Sequence, residues 1–532
     1  MFGAGAMTNS IPEIRDTDLM FVIGSNTTEA HPIIAMEMKR AKKNGAKLIV
    51  ADPRAIWLSE IADLHLQLKP GTDVALLQGM AHVIITEGLT DEAFIAAHTS
   101  GWDDFVASVA DTTPEWAESI TTVPADDIRT AARWYATTRK AGIYYTLGIT
   151  EHTHGTDNVY SLANLVLMTG HLGVRSAGMN PLRGQNNVQG ANDAGASPVF
   201  YPGYQRVSDP VAKAKFEAAW GVPLSPDDGL NLNVMMKKLG TQMKGLFVMG
   251  EDIVLSEPNA SAVEEGLNNI EFLVVQDIFL NETCRFADVI LPAACFAEKD
   301  GVFTNSDRRV QRVRKAVEPP GEARADWKVL AELARRVGYP MPHYANAGAI
   351  YAEMASLSDK FSGISHDRID AEGGLQWPCP TPDHPGTGTL HGDGPLIGTA
   401  PFQGVTYRPS AELPDSEYPL LLSTGRTLYH YNCATQTLRE PGPVAKQPEN
   451  FVEMHRKDAR MRNLRDGQRV EVSSRRGIIE AVVQVSPRMR RGCVWMPLHF
   501  PDSLTNRLTN DAGDSVTGTG EYKVCAVQIV PA

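Results

Sequence analysis

The sequence predicts an α/β protein with two related nucleotide-binding lobes and a C-terminal β-barrel. Three observations carry this expectation. Two segments, beginning near Leu19 and Gly245, share one order: apolar strand, glycine loop, helix, apolar strand, acid. Beyond Tyr418, short strands punctuated by turn glycines take over, as in a small barrel. Between the two segments lies Asn180-Pro-Leu-Arg-Gly-Gln-Asn-Asn-Val-Gln-Gly190, which follows neither helical nor strand periodicity. At 532 residues the chain exceeds a single core and suggests three or four domains.

The first segment opens on Leu19–Ile23, an apolar run suited to a buried parallel strand. It ends in Gly24-Ser25-Asn26. A helix follows from Pro32 to about Asn44, with Gly45 as its stop. Lys47–Ala51 is the second strand, ending in Asp52-Pro53-Arg54. Such a unit commonly sets phosphate over the first loop and a ribose or base against the acid, although GxGxxG is absent. Leu64–Leu68 reads as a strand leading into Pro70-Gly71-Thr72-Asp73, which caps a helix from Val74 to about Glu87. A helix from Ala125 through Tyr135, a strand Ala141–Leu147 and a helix from about Asp157 to Thr169 complete this part. His152 and His154 stand two apart in a loop with only the adjacent Glu151 and no cysteine, a poor ligand set for a metal.

The second segment repeats the pattern. Gly245–Met249 ends in Gly250-Glu251-Asp252, a helix runs from about Asn259 to Leu267, and strand Glu271–Val275 ends in Gln276-Asp277. Gly24 and Asp52 stand 28 positions apart, Gly250 and Asp277 27, which indicates an internal repeat. The two arms should open onto one cleft with the Arg183 loop at its base. That loop combines a planar guanidinium suited to a carboxylate with amides and with close-approach glycines.

Asp288–Pro292 is a further strand. The cationic run Arg308, Arg309, Arg312 and Arg314 reads first as a solvated face, with an anionic cofactor or a partner subunit as alternatives. Helix Asp326–Val337 follows, then a Pro/Gly-rich crossing from Gly373 to Pro414. Strands Tyr418–Ser423, Arg469–Ser473, Ile478–Val485, Val494–Pro497 and Val524–Val530 form the expected barrel, with His430, His499, Asn506 and Lys523 in or near its loops. The expected spans are 1–185 and 186–297 for the two lobes, 298–414 for a connecting segment, and 415–532 for the barrel.

A net charge of −13 argues against a general nucleic-acid binder. No apolar run is long enough to span a membrane, and no signal peptide is read at the start. The six cysteines lie far apart without CxxC, unlike a zinc, iron–sulfur or disulfide framework, and fit buried thiols in a reducing compartment such as the cytoplasm.

Several strings together resemble formate dehydrogenase alpha subunits. They are Gly5–Ser10, Ile23–Thr28, Asp52–Arg54, Gly155–Val159, Pro181–Gly190, Met249–Asp252, Ala287–Pro292, and Thr424-Gly425-Arg426 with His430-Tyr431 nearby. The resemblance runs end to end in motif order, and the Pro181–Gly190 string is its most specific part. It implies a molybdenum or tungsten bis-(molybdopterin guanine dinucleotide) cofactor, formate oxidation to CO2, and an iron–sulfur or flavin partner subunit that takes the electrons. By resemblance Arg183 holds the substrate carboxylate. The loops at Gly24, Ser25 and Asn26, Asp52 and Arg54, Gly71 and Asp73, Gly184 and Asn187 are implied to contact the dinucleotides. So are Gly250, Glu251 and Asp252, Gln276 and Asp277, Thr424 and Arg426, His430, Asn506 and Lys523.

Full-length members of that family begin with a [4Fe–4S] domain, followed by a metal-ligating cysteine or selenocysteine and a histidine. The match here starts just past that pair, and Met1–Met7 looks like domain interior. The resemblance therefore implies that the cluster and the metal ligand lie outside this chain, as expected if a UGA selenocysteine codon interrupted the reading frame. Two alternatives stand beside it: an inactive dinucleotide-binding module, or another molybdopterin oxidoreductase.

Overall fold

The computed structural model describes residues 1–532, which form two compact units. Unit 1 comprises residues 1–182, 252–266 and 389–532; unit 2 comprises 183–251 and 267–388. The protein is a mixed α/β structure with a closed barrel near its C-terminus.

Unit 1 contains a five-stranded parallel sheet. Its strands are β1 (Leu19–Ile23), β2 (Lys47–Ala51), β3 (Leu64–Leu66), β4 (Ala141–Tyr145) and β5 (Gly178–Pro181), in the order β3-β2-β1-β4-β5. β1 and β4 are buried along their whole length. That is why they read as continuous apolar runs rather than alternating ones. Helices α1 (Pro32–Lys43), α2 (Asp73–Thr86), α3 (Ala125–Thr137) and α4 (Gly155–Met168) belong to the same unit. α2 is buried nearly all round, with Leu76, Met80 and Ile84 in a core shared with Phe21, Ile128 and Leu165. Phe2 and Met7 are buried as well.

Unit 2 contains a second parallel sheet of β6 (Gly245–Met249), β7 (Phe272–Asp277) and β8 (Val289–Pro292), in the order β8-β7-β6. The two arms match bond for bond. The Gly24 N–H donates to Ala51 O at 3.0 Å, and the Gly250 N–H donates to Gln276 O at 2.9 Å. Asp63 Oδ2 accepts from the Leu48 N–H at 2.7 Å, as Asp288 Oδ2 does from the Leu273 N–H at 2.7 Å. Both glycines have positive φ, +55° and +67°, the conformation that favours glycine where a strand turns sharply into a loop.

An antiparallel pair in unit 2, β9 (Gly301–Thr304) and β10 (Arg309–Val313), carries the cationic run on to the short strand β11 (Leu375–Gln376). This run is not a solvated face throughout. Arg308 is fully buried and donates to the carbonyls of Trp377, Thr387 and Gly388. It satisfies a stretch of irregular backbone that would otherwise carry unpaired acceptors. Arg314 pairs with Asp370 at 2.6 Å.

The barrel closes through β12 (Leu420–Gly425), β13 (Phe451–Met454), β14 (Arg469–Ser473), β15 (Ile478–Val485), β16 (Cys493–Pro497) and β17 (Cys525–Pro531), in the order β12-β16-β13-β15-β14-β17. Five of these strands are legible in sequence and β13 is not. Its Glu453 is completely buried, which spoils the alternating pattern. The Gly373–Pro414 stretch is largely irregular, as expected, with two residues in each of two short strands.

Candidate functional site

Unit 2 builds the Arg183 site. The loop leaves β5 and enters helix α5 (Val188–Asp193) through Asn187, whose φ is +60°. The turn after β9 fixes it. The Arg183 N–H donates to Ser306 Oγ at 3.1 Å, Ser306 Oγ donates back to Arg183 O at 3.2 Å, and Asn187 Oδ1 accepts from the Thr304 N–H at 2.9 Å. Gly184, Gln185 and Asn186 are exposed, while Gln189 is buried beneath them. The Arg183 Nε donates to Gln189 Oε1 at 3.4 Å. Arg183 is thus anchored at its backbone, and the residue is half-buried. Ser306 and Thr304 were not singled out in the sequence, because their role depends on a turn more than a hundred residues downstream.

The second arm supplies Gly250, where an added Cβ would meet nothing within 4 Å. The backbone there is open to close approach. Beside it Glu251 O accepts from Asn281 Nδ2 at 3.3 Å. Asp277 Oδ1 accepts from the Phe279 N–H at 3.1 Å and Oδ2 from Asn281 Nδ2 at 2.9 Å. Gln276 is fully buried and donates to Asp326 Oδ1 at 2.8 Å.

Within unit 1 the first arm and the barrel bring other predicted residues together. Gly24 packs so tightly on Gly148 that a Cβ at Gly24 would lie 2.7 Å from the Gly148 carbonyl carbon. Ser25, buried, shares a 2.9 Å hydrogen bond with Thr27, and Asn26 Oδ1 accepts from Thr28. Asp52 Oδ1 accepts from the Arg54 N–H at 2.9 Å. Burial pushes the Asp52 carboxyl up to about 6, outweighing the attraction of Arg54, Lys523 and Arg488. Asp73, at the start of α2, is driven up to about 7 by burial and by the neighbouring Asp52 charge. Gly71 has φ +78° and sits against Ser410. Lys523 bridges Glu151 at 2.8 Å and Thr424 O at 3.0 Å, while Thr424 Oγ1 donates to Tyr522 O. Asn506 is fully buried and donates to Leu255 O and Ser256 O, tying the 252–266 segment, with the buried Asp252 at its start, to the barrel.

Three predicted residues are engaged in the fold itself. Arg54 pairs with buried Glu453 at 2.6 Å and stacks on Trp495 at 4.1 Å. His430 bonds Thr437 and Gln447 O, and Arg426 donates to Asn432. His152 and His154 are buried, and desolvation lowers both below the ordinary imidazole value, His152 to about 3; His152 Nε2 bonds Gly148 O. No group of three or more His, Cys, Asp or Glu is placed to hold a metal ion.

Residues 2–336 match the profile described as molybdopterin oxidoreductase, and residues 420–526 that of the molybdopterin dinucleotide binding domain. The chain is 45% identical over 532 residues to the formate dehydrogenase 2 subunit alpha of Methanococcus maripaludis, covering 99% of this chain and 78% of that one. It is 40% identical to formate dehydrogenase H of Escherichia coli over 538 residues, covering 99% and 75%.

The chain belongs to the molybdopterin oxidoreductases.

The fold of this oxidoreductase is shared with acetylene hydratase from Pelobacter acetylenicus, at a TM-score of 0.77 and 19% identity, over 100% of this chain and 80% of that one. A molybdopterin cofactor follows from family membership. The residues present fit such a group. In unit 1, Asp73 is buried and Asp52 half-buried, and both carboxyls suit a ligand edge that donates hydrogen bonds; in unit 2, taken by itself, the backbone at Gly250 is open to close approach. No helix of the oxidoreductase is long and apolar enough to cross a membrane.

Proposed function

We propose that this chain is a formate dehydrogenase catalytic subunit, oxidising formate to CO2 with a molybdenum or tungsten bis-(molybdopterin guanine dinucleotide) cofactor. The observation that carries the reading is 40–45% identity to formate dehydrogenase subunits over essentially the whole chain. The Arg183 loop gives it chemical sense. Formate is a two-oxygen anion with one C–H bond. A planar fork on a backbone held to Ser306 can donate to both oxygens and fix the carbon's direction. The same fork offsets negative charge throughout the reaction. When bound, the cofactor supplies the two-electron redox chemistry.

The two bond-for-bond arms support two related Rossmann-like lobes, each receiving one dinucleotide. In the first arm and barrel we assign contacts to Gly24, Ser25, Asn26, Asp52, Gly71, Asp73, Thr424, Arg426, Asn506 and Lys523. In the second we assign Gly184, Asn187, Gly250, Glu251, Asp252, Gln276 and Asp277. Arg54 and His430 shape the barrel side through the partners they already have. The spans 1–185, 186–297, 298–414 and 415–532 are the proposed domains. The relatives are alpha subunits, so an electron-accepting partner subunit is proposed too. Six cysteines outside any disulfide, five of them buried, suit the reducing cytoplasm.

The test is substrate choice. A complete catalytic subunit that contains this chain, purified from a host that makes the cofactor, should oxidise formate with an artificial acceptor and should not reduce nitrate. Nitrate reduction without formate oxidation would overturn the reading in favour of another molybdopterin oxidoreductase.

A further inference from the structure

Arg183 rests on a buried polar chain within unit 2. Its Nε donates to Gln189 Oε1 at 3.4 Å. The Gln189 amide nitrogen spends both hydrogens on the far side: one to Asp193 Oδ1 at 2.9 Å, one to Tyr204 Oη at 2.7 Å. Tyr204 donates in turn to Asp193 Oδ1 at 2.7 Å, and Trp377 Nε1 donates to Asp193 Oδ2 at 2.7 Å. Gln189 and Asp193 lie one turn apart on α5 and are 0% and 2% exposed. The Lys360 ammonium sits 4.8 Å over the Tyr204 ring, giving the buried acid a nearby positive charge.

Donor and acceptor roles make this chain directional. A side-chain amide placed backwards exposes its NH2 where its oxygen should be, and packing alone barely distinguishes the two. An ionised carboxylate accepts and never donates. Burial raises the Asp193 carboxyl only to about 6 against the bonds from Gln189, Tyr204 and Trp377, so at neutral pH it is ionised, draws the Gln189 NH2 toward itself and turns the carbonyl oxygen toward Arg183. We propose that Gln189 and Asp193 are positioning residues for Arg183, with Asp193 setting the amide orientation and Gln189 aiming the guanidinium. This rests on the reading of Arg183 as the substrate arginine.

A double-mutant cycle tests it in a complete, cofactor-loaded subunit that contains this chain. Gln189→Met keeps the volume but removes the acceptor. It should lower kcat/KM for formate about tenfold, mainly through KM, yet change it less than about twofold in an Arg183→Lys background. Equal losses in both backgrounds would overturn the proposal while leaving Arg183's role intact. An Arg183→Lys variant with wild-type formate kinetics would remove that role and the proposal with it. A second readout needs no cofactor. The Nε–H resonance of Arg183, assigned by its loss in Arg183→Lys, should shift in Gln189→Met. Tyr204→Phe, which removes one donor to Asp193 and one acceptor for Gln189, provides the same reading if Gln189→Met does not fold. An Arg183 resonance unmoved by the folded variant would overturn the proposal.

Discussion

Glu453→Gln is the sharpest test of how the first lobe is tied to the barrel. The Glu453 side chain is 0% exposed and that of Arg54 8%, with 2.6 Å between them. Arg488 stands 3.9 Å from the other carboxylate oxygen, and the Trp495 ring covers the Arg54 guanidinium at 4.1 Å. Glutamine preserves the shape and removes only the charge, leaving Arg54 buried against a neutral acceptor. Losing one partner of a buried pair costs about 3 kcal/mol, which is roughly a hundredfold in an opening equilibrium. Amide hydrogen exchange read on the 451–454 peptide reports that opening directly. Exchange there should accelerate about a hundredfold in Glu453→Gln, and Arg54→Met with Glu453→Leu should recover much of the protection. Exchange within about twofold of wild type would show that the pair contributes little and that the tie lies elsewhere.

Arg183→Lys should reduce kcat/KM for formate by more than tenfold, because an ammonium cannot make the planar two-bond contact; a change under about twofold, or ~0.5 kcal/mol, would refute the clamp. In the cofactor-free chain Asp73 and Asp52 contribute stability that falls as pH rises from about 4 to 7, opposed by the rising contribution of the buried His152, His171 and His499. Asp73 and Asp52 have folded-state values raised to about 7 and about 6, so the folded state binds more protons in that window and unfolding becomes easier as they ionise. Asp73→Asn should remove its falling share, so that the variant's stability at pH 7 relative to pH 4 exceeds the parent's in thermal denaturation, and an unchanged pH dependence would show that Asp73 does not titrate there.

Both arms were legible in sequence because each opens on a short apolar strand that ends at a glycine with positive φ, although of the two opening strands only β1 is buried on both faces, and β6 and β7 are partly exposed. The barrel was legible except for β13. Glu453 reads as a surface residue in any local window, and the cation that permits its burial lies 399 positions away. Arg308 failed for the same reason, since its acceptors are carbonyls 69 to 80 positions downstream. In the candidate site, Arg183 was legible from its string. The ranking of the amides around it was not, because Gln189 is set apart from exposed Gln185 only by Tyr204 and Trp377 arriving from other segments. Local spacing carries the periodic elements, whereas buried charge is decided by partners that only the fold brings near.

The most direct measurement is the guanine nucleotide content of the chain purified from a cofactor-producing host, with GMP released by acid and counted against protein. Two matched arms predict close to two GMP per chain, falling toward one when Gly24 is replaced by valine, since its Cβ would meet the Gly148 backbone at 2.7 Å. A chain that carries no GMP, or whose content is unchanged by that substitution, would contradict the assignment of the two arms as dinucleotide sites.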